Sequence, residues 1–249
     1  KQTFHLKEVF VSPNLVDDEE INLRDTCRAL AGNLDKYIID NTVVAVSWGN
    51  TLNCLAGQIQ PLKAKDIKVV QLNGGVAKSA SSTGASQIVD ALTMAGHGIG
   101  YMFPVPAIVD SKHTSEILQE ETQVKNVLRL AKEAEVSIFS IGALSKDSIL
   151  YEVEYLKDED FQALEKNKAV GDIASRYFDI NGNIALKELD DRVVGFGLEE
   201  LREKEWTIAI AVGVNKVDAI IGALRAGFMN VLYTDEKTAR EILNRNLLG

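Results

Sequence analysis

The sequence predicts an α/β protein in which helices flank a mostly parallel β-sheet. Short apolar runs, many of them β-branched, alternate with segments of helical periodicity along almost all of the 249 residues. The runs are continuously apolar, as in Val43–Val46, which is typical of strands buried on both faces. Small-residue loops follow several of the runs, as expected where parallel strands end.

Seven of these apolar runs are predicted to be strands. They lie near Lys7–Ser12, Thr42–Val46, Ile67–Leu72, Gly98–Phe103, Val136–Ile141, Thr207–Val212 and Asn230–Thr234. Between them, the spacing of apolar residues predicts helices near Asp18–Tyr37, Thr51–Gln60, Ser86–Met94, Thr114–Ala134, Val214–Ala226 and Lys237–Asn244. In the fourth helix, the three-and-four spacing of one buried face is followed by Val124, Val127, Leu128 and Ala131.

One segment, residues 157–191, breaks this alternation. It is charged, and a short helical stretch in it is followed by GDIASRYFDINGN, residues 171–183. Arg176–Asp179 looks extended, and the Asn181-Gly182 pair suits a tight hairpin turn. We therefore expect a small antiparallel excursion at the edge of the sheet.

Composition and charge narrow the classes of function. The net charge of −9 argues against nucleic-acid binding by this segment itself, because contact with phosphate backbones needs a cationic face. No apolar run approaches the roughly 20 residues that span a membrane, and no signal-peptide pattern is present. The first residue is Lys1, which suggests a fragment of a longer chain. A cytoplasmic protein that does not contact a membrane is expected.

Cysteine and histidine supply no obvious chemistry. Cys27 and Cys54 are far apart in sequence and lie among apolar neighbours, which favours two reduced core thiols over a disulfide or a reactive pair. The three histidines show no metal-ligand spacing with one another or with the cysteines, so no metal and no cofactor are predicted. Nucleophile-elbow and phosphate-loop lysine motifs are also missing from the sequence.

Small-residue loops at the predicted strand ends favour an anion site. The best is Ser47-Trp48-Gly49-Asn50-Thr51, where a buried strand runs into a helix whose backbone N–H groups and dipole attract negative charge. One such loop is a weak signal, but several at corresponding strand ends are a moderate one. The others are Asn73–Ser79, Gly142–Leu144, Gly213–Lys216 and Thr234–Glu236.

Two lysines and two aspartates in or near these loops are candidate ligand contacts. Lys216 opens a helix, where a cation is unfavourable by about 0.3–1 kcal/mol unless an anion binds there; the alternative is a solvated lysine. Lys78 lies in a loop of small residues and is either a ligand contact or an ordinary loop lysine. Asp172 could bind sugar hydroxyls, whereas Asp179 more simply stabilises the Asn181-Gly182 turn. Trp48 is expected to pack against the base of its loop, although it could cover a ligand.

Taken together, these segments resemble the effector-binding, or sugar-binding, domain of SorC-family bacterial transcriptional regulators. The resemblance covers essentially the whole chain. It is carried by the Ser47–Thr51 loop, Asn73-Gly74-Gly75, Gly171-Asp172-Ile173 with Tyr177-Phe178-Asp179 and Gly182, and the block Gly213–Ala239. Within the family, the chain is most similar to regulators of deoxyribonucleoside catabolism, which implies deoxyribose 5-phosphate as the effector.

The resemblance implies a Rossmann-like fold similar to sugar-phosphate isomerases and glucosamine-phosphate deaminases, without their catalytic role. Residues 1–249 would form one effector-binding and oligomerisation domain, a dimer or larger, of a repressor. An N-terminal helix-turn-helix domain, missing from this chain, would contact operator DNA. Ser47, Gly49, Asn50 and Thr51 would bind the phosphate, with Lys216 and Asp172 closing over the sugar.

If the effector is an aldehyde sugar phosphate, one lysine could form a Schiff base with it. A lysine beside a phosphate keeps its proton and is a poor nucleophile, so Lys78 is the better candidate if Lys216 holds the phosphate. The alternative function is an isomerase or deaminase. Isomerisation needs a carboxylate base at the sugar, and the nearest candidate, Asp235-Glu236, looks like a helix start. An effector sensor is therefore the predicted function.

Overall fold

The fold is described from a computed structural model that covers residue 4 and residues 6–76 and 85–247. Its strands are β1 Glu8–Ser12, β2 Val43–Val46, β3 Lys68–Gln71, β4 Ile99–Tyr101, β5 Val136–Ser140, β6 Gly142–Ala143, β7 Ala169–Ile173, β8 Arg176–Asp179, β9 Trp206–Ile210 and β10 Val231–Asp235. All seven predicted strands are present, each within about two residues of its predicted ends.

The helices cover both faces of the sheet. They are α1 Glu19–Ala31, α2 Leu34–Tyr37, α3 Asn50–Ala56, α4 Ala85–Ala95, α5 Lys112–Glu120, α6 Thr122–Glu133, α7 Ile149–Glu152, α8 Asp158–Lys166, α9 Lys187–Asp190, α10 Val217–Ala226 and α11 Glu236–Leu247. Short 3₁₀ segments occupy Leu198–Glu203 and Val214–Lys216.

Two predicted helices are each divided in two. The segment 18–37 breaks at Gly32, which ends α1, and the chain restarts as α2 after Asn33. The segment 114–134 breaks at Glu121, whose extended backbone separates α5 from α6. Hydrophobic periodicity continues through both breaks, which is why the pattern alone predicted single helices.

The large sheet is parallel throughout, in the order β1-β10-β9-β5-β2-β3-β4. Alternate residues of a strand enter different cores: Ile138 packs with α1, α3 and α4 on one face, and Phe139 packs with α6 and α10 on the other. Both side chains are fully buried. The predicted doubly covered parallel sheet is confirmed.

The antiparallel excursion was placed wrongly. It does not extend an edge of the large sheet but forms a separate sheet in the order β6-β7-β8, in which β6 follows directly after the central strand β5. The hairpin turn lies at Ala174-Ser175, between Ile173 and Arg176. The Asn181-Gly182 turn also forms, but it leads to a single bridge between Phe178 and Ile184. The spacing of residues in the sequence could not show that β6 would pair with this hairpin.

No helix in the described part of the chain is long and apolar enough to cross a membrane.

Candidate functional site

A cavity of about 300 Å³ opens at the carboxyl ends of four neighbouring strands, β9, β5, β2 and β3. The loops that follow these strands form its walls, together with the turn between β7 and β8. Its lining residues are Ser47–Thr51, Asn73, Ser140–Ala143, Ser145, Asp147–Leu150, Asp172, Ala174, Ser175, Asn215 and Lys216. This is the edge of a parallel sheet at which ligands usually bind.

The loop after β2 forms one wall of the cavity. The Ser47 N–H donates to the Ile138 carbonyl at 3.1 Å, so the ladder with β5 continues one residue beyond the strand. Gly49 then turns the chain at φ +131°, a conformation that side-chain-bearing residues rarely adopt. Helix α3 starts at Asn50 without a side-chain cap, and its first-turn N–H groups have no acceptor within the helix. These N–H groups can bind an anion.

Two buried polar atoms beside the cavity lack a partner among the described residues. They are the Oγ of Ser47 and the Oδ1 of Asn73, and each residue is 2% exposed. The other amide atom of Asn73, Nδ2, donates to the Ser175 Oγ at 3.0 Å. An unsatisfied buried polar atom costs about 1–3 kcal/mol, so a ligand that hydrogen-bonds to these atoms would recover that free energy.

Lys216 enters the cavity from the opposite side. It ends the 3₁₀ turn after Gly213 and immediately precedes α10, and its N–H donates to the Gly213 carbonyl at 3.1 Å. Within the described residues, the half-buried Lys216 ammonium makes no hydrogen bond and no ion pair. Burial lowers its pKa, while the negative charges of Glu19 and Asp172 act in the opposite direction. An anionic ligand in the cavity could therefore provide the hydrogen-bond acceptor that this ammonium lacks among the described residues.

Asp172 faces the same cavity from β7. Burial raises the pKa of its carboxyl to about 6, although the N–H of Ser175 and the charge of Lys216 act to lower it. The Ser175 N–H donates to Oδ2 at 3.1 Å, which leaves Oδ1 beside β6. A Cβ at Gly142 would lie 2.2 Å from Oδ1, so only glycine leaves room for the carboxylate in this position.

The β7–β8 turn holds Asp172 in place at a conformational cost. Its two central residues, Ala174 and Ser175, have φ of 51° and 70°, in the left-handed region that side chains disfavour. Ser175 is held twice, by its N–H to Asp172 and by its hydroxyl to Asn73. The turn thus links the loop after β3 to the carboxylate across the cavity.

The structure brings together six of the seven predicted contact residues. Ser47, Gly49, Asn50, Thr51, Asp172 and Lys216 all line the one cavity. The seventh, Lys78, lies outside the described residues. Ligand contact remains a prediction for each of these residues. That six of them line the same cavity is a property of the fold.

Other predicted loop residues have structural roles or lie elsewhere. Asp179 stabilises its turn, since its Oδ1 accepts from the N–H groups of Asn181 and Asn183 at 2.9 Å. Trp48 is buried, and its Nε1 donates to the Gly74 carbonyl at 2.8 Å, as expected for packing at the base of the loop. Asp235 lines a separate cleft of about 50 Å³.

Sequence reasoning missed part of the wall. Asn73 was noted only as part of a glycine-containing loop, and Ser175 was not noted at all. The segment 145–150 was also missed, because it belongs to no strand-end motif. Across the described chain, no cluster of three or more His, Cys, Asp or Glu side chains has a metal-binding arrangement.

Comparisons with known proteins identify the domain. A family model described as "Putative sugar-binding domain" matches residues 1–244. The deoxyribonucleoside regulator of Bacillus subtilis is 33% identical over 88% of this chain and 70% of its own length. The transcriptional regulator LsrR of Escherichia coli is 30% identical over 98% of this chain and 75% of its own length.

Solved structures agree with the fold and with the kind of protein. A transcriptional regulator from Streptococcus pneumoniae superimposes with a TM-score of 0.92, at 26% identity, over 99% of this chain and 94% of its own. These relatives are regulators rather than enzymes, in agreement with the predicted non-enzymatic role. The chain belongs to the family of sugar-binding domains carried by SorC-type transcriptional regulators.

Proposed function

We propose that this domain is the sensor of a transcriptional repressor and that its effector is a phosphorylated sugar, with deoxyribose 5-phosphate as the favoured candidate. The observation that carries the proposal is the Lys216 ammonium, which is half-buried in the cavity and has no acceptor among the described residues. The N-terminus of α3 lines the same cavity. Cation, N–H groups and hydroxyls are the donors that a phosphate requires.

In the proposed complex, the two ends of the effector meet different walls. The phosphate binds the N–H groups and side chains of Ser47, Gly49, Asn50 and Thr51, with Lys216 as counter-ion. The sugar extends towards Asp172, whose carboxylate accepts from a hydroxyl. The cavity of about 300 Å³ lies at the low end of the usual size for small-molecule sites, which suits a pentose phosphate.

The choice of deoxyribose 5-phosphate follows from the Bacillus subtilis relative, whose name is deoxyribonucleoside regulator. Hexose phosphates offer the same anion, so the test must compare sugars. Titration calorimetry with the purified domain should find deoxyribose 5-phosphate bound more tightly than ribose 5-phosphate or glucose 6-phosphate. Unphosphorylated deoxyribose should bind at least tenfold more weakly, because each lost charge-assisted hydrogen bond costs about 1.5–3 kcal/mol. Equal affinity for deoxyribose and its phosphate would contradict the phosphate site.

The Lys216 contact is tested by removing its charge. Lys216→Met should weaken every phosphorylated sugar by about ten- to a hundredfold, since a charged hydrogen bond of about 1.5–3 kcal/mol is lost. Lys63→Met is the matched control, because the Lys63 side chain is 90% exposed and lies outside the cavity. An unchanged affinity in Lys216→Met, or an equal loss in Lys63→Met, would overturn the role of Lys216.

A covalent contact through Lys78 remains part of the proposal. The amine would attack the sugar aldehyde to form a C=N bond, and the carbonyl oxygen would leave as water. Phosphate bound at Lys216 would keep that ammonium protonated and unreactive, which leaves Lys78 as the nucleophile. Borohydride reduction with deoxyribose 5-phosphate, followed by peptide mapping, should find the adduct on Lys78. An adduct on Lys216, or none, would contradict this assignment.

The sensor acts in a homo-oligomer in the cytoplasm, and a separate helix-turn-helix domain contacts operator DNA. The effector can change operator binding only if it binds two conformations or assemblies with different affinity. The strained turn at Ala174-Ser175 lies in the cavity wall and is where we propose that this difference arises. Light scattering with and without deoxyribose 5-phosphate measures the assembly. A monomer both with and without the sugar phosphate would contradict the proposed homo-oligomer.

A further inference from the structure

A second cleft lies at the carboxyl ends of β1, β9 and β10, and none of its lining residues belongs to the candidate site. It lies between the start of α1, the loop after β9 and the start of α11. Its volume is about 50 Å³, which holds a few water-sized groups. The head of one side chain fits this volume, whereas a sugar phosphate does not.

Asp235, the last residue of β10, supplies a buried carboxylate to this cleft. The residue is 3% exposed. Its Oδ2 accepts from Asn14 Nδ2 at 2.7 Å, but its Oδ1 has no hydrogen-bond partner in the described part of the chain. A buried carboxylate oxygen without a donor is unfavourable, so a donor placed in the cleft would stabilise the protein.

The cleft carries an excess of negative charge. Asp17, Glu19 and Asp235 line it with carboxylates. The lysine among the lining residues, Lys237, is already paired with Asp17 at 3.1 Å, which leaves the other two carboxylates without an ion pair among the described residues. A Cβ at Gly213 would lie 2.9 Å from Glu19 Oε1, so this carboxylate lies directly against the loop after β9. The donor that fits the cleft is therefore a cation.

Exposed apolar side chains lie beside this acidic cleft. Leu15 and Val16, which directly precede Asp17, are 82% and 45% exposed, and Val214, which lines the cleft, is 42% exposed. We call these three residues the apolar rim. Arginine and lysine suit such a surface, because their aliphatic stems cover apolar groups while the charged head reaches a carboxylate.

The same surface presents a basic side chain of its own. Arg240 lies three residues after Lys237 on α11, so the two side chains share one side of the helix. Its side chain is 73% exposed and pairs, among the described residues, with Glu236 of the same helix. A two-fold dimer needs complementary groups on one patch, because each copy presents the same patch to the other. Cleft, apolar rim and Arg240 meet this requirement, which favours a second copy of the chain over an unrelated partner.

We propose that this surface is the interface of a two-fold dimer, in which Arg240 of each copy binds in the acidic cleft of the other and the apolar rims pack between them. The proposal rests on the proposed homo-oligomer and names the surface that forms it. Val214 directly precedes Asn215 and Lys216, which both line the effector cavity. The dimer contact and the candidate effector site therefore share one loop.

Sedimentation velocity of the purified domain without sugar phosphate tests the interface. Wild type should be a dimer or larger. Arg240→Glu should raise the dissociation constant at least about tenfold, because a like charge replaces the cation beside Glu19 and Asp235. Arg129→Glu is the matched control, since Arg129 is also exposed and paired within its own helix, with Glu133, but lies on α6 outside the cleft. An equal loss in both variants would overturn the proposal.

Exchanging the two charges tests the pairing itself. In the double variant Glu19→Lys/Arg240→Glu, the new carboxylate of one copy faces a new ammonium in the other. Dimerisation should therefore recover relative to Arg240→Glu alone. No recovery would overturn the contact between Arg240 and the cleft.

The apolar rim is tested by a change that adds no charge. Leu15→Gln should weaken the dimer about tenfold, because the burial of a leucine side chain is lost. Met94→Gln is the control, since Met94 is 78% exposed on α4, at the opposite edge of the sheet. An oligomer that neither Arg240→Glu nor Leu15→Gln weakens would overturn this interface but not the proposed homo-oligomer. Failure of deoxyribose 5-phosphate to bind would count against the proposed effector alone.

Discussion

At the scale of single residues, the site combines groups that are costly for the fold. Asp172 is half-buried, with its pKa raised by burial to about 6, and Lys216 has no acceptor within the described residues. The Ser47 hydroxyl and one amide atom of Asn73 are buried and have no hydrogen-bond partner in the described part of the chain. Such costs are typical of binding sites, where the ligand rather than the protein completes the interactions.

The raised pKa of Asp172 predicts how the free energy of unfolding depends on pH. Its folded pKa of about 6 exceeds the usual 3.8, so the folded protein holds this proton between those pH values after the unfolded chain has released it. The contribution of Asp172 therefore lowers the free energy of unfolding as pH rises from 3.8 through 6. Asp172→Asn should remove this contribution, and its stability relative to wild type should increase over that interval in urea unfolding.

A neutral side chain at position 172 cannot reproduce that pH dependence. Asp158→Asn is the control, because that carboxyl is exposed and its pKa is lowered by Tyr151 and Lys146. A stability difference between Asp172→Asn and wild type that stays constant from pH 4 to 7 would show that Asp172 titrates normally.

A methyl group at position 142 should disturb the site more than the fold. The new Cβ of Gly142→Ala would lie 2.2 Å from Asp172 Oδ1, so the carboxylate must move away. We expect about a tenfold loss of affinity for deoxyribose 5-phosphate, equivalent to about 1.4 kcal/mol, with circular dichroism unchanged. Ala143→Gly, at the neighbouring cavity residue, is the control. Wild-type affinity in Gly142→Ala would mean that the position of Asp172 is unimportant.

At the scale of elements, the small sheet is the part that adapts a common α/β scaffold to this cavity. Strand β6 leaves the central strand β5 and pairs with β7, and this pairing brings Asp172 opposite Gly142. Helix α10 packs against β7 and β8 behind the hairpin. The strand ends of the large sheet lead to Ser47, Asn73 and Lys216 in the cavity lining. The small sheet adds Asp172.

The turn of the hairpin should be stabilised by glycine. Ala174 has φ of 51°, and a side-chain-bearing residue in this region costs about 1–2 kcal/mol. Ala174→Gly removes that cost but adds freedom to the unfolded chain, so a net gain of about 0.5–1 kcal/mol is expected in urea unfolding. Ala169→Gly, in the same sheet at negative φ, should instead lose about 0.5–1 kcal/mol. A loss of stability in both variants would exclude strain at the turn.

At the scale of the whole molecule, the net charge disfavours DNA binding by this domain. The net charge of −9 repels the phosphate backbone, and the folded domain gathers its candidate anion contacts inside a cavity rather than on an open face. A duplex cannot enter a cavity of about 300 Å³. We therefore propose that a separate domain, and not this one, contacts operator DNA.

This separation predicts that the isolated chain does not bind duplex DNA. In fluorescence anisotropy at 150 mM salt, a labelled duplex should show no binding up to about 0.1 mM protein, the weak end of ordinary non-specific affinity. Deoxyribose 5-phosphate should not change that result. Salt-dependent binding at micromolar concentration would mean that the domain itself has a nucleic-acid surface.

The sequence alone determined the fold class and most of the residues that are proposed to bind phosphate. Runs such as Val43–Val46 are recognisable because a strand buried on both faces must be apolar at every position. The Ser47–Thr51 loop and Lys216 were identified because the residues at a strand end and a helix start are contiguous in the chain. Patterns of this kind depend only on neighbours in sequence.

Tertiary structure alone decided the rest of the site. Gly142, Asn73 and Ser175 were not predicted as contacts, and only long-range interactions place them around Asp172: β6 pairs with β7, and Asn73 hydrogen-bonds to Ser175. Burial and pairing arise from long-range contacts, and a single sequence contains no local signal for them. The raised pKa of Asp172 follows from that burial.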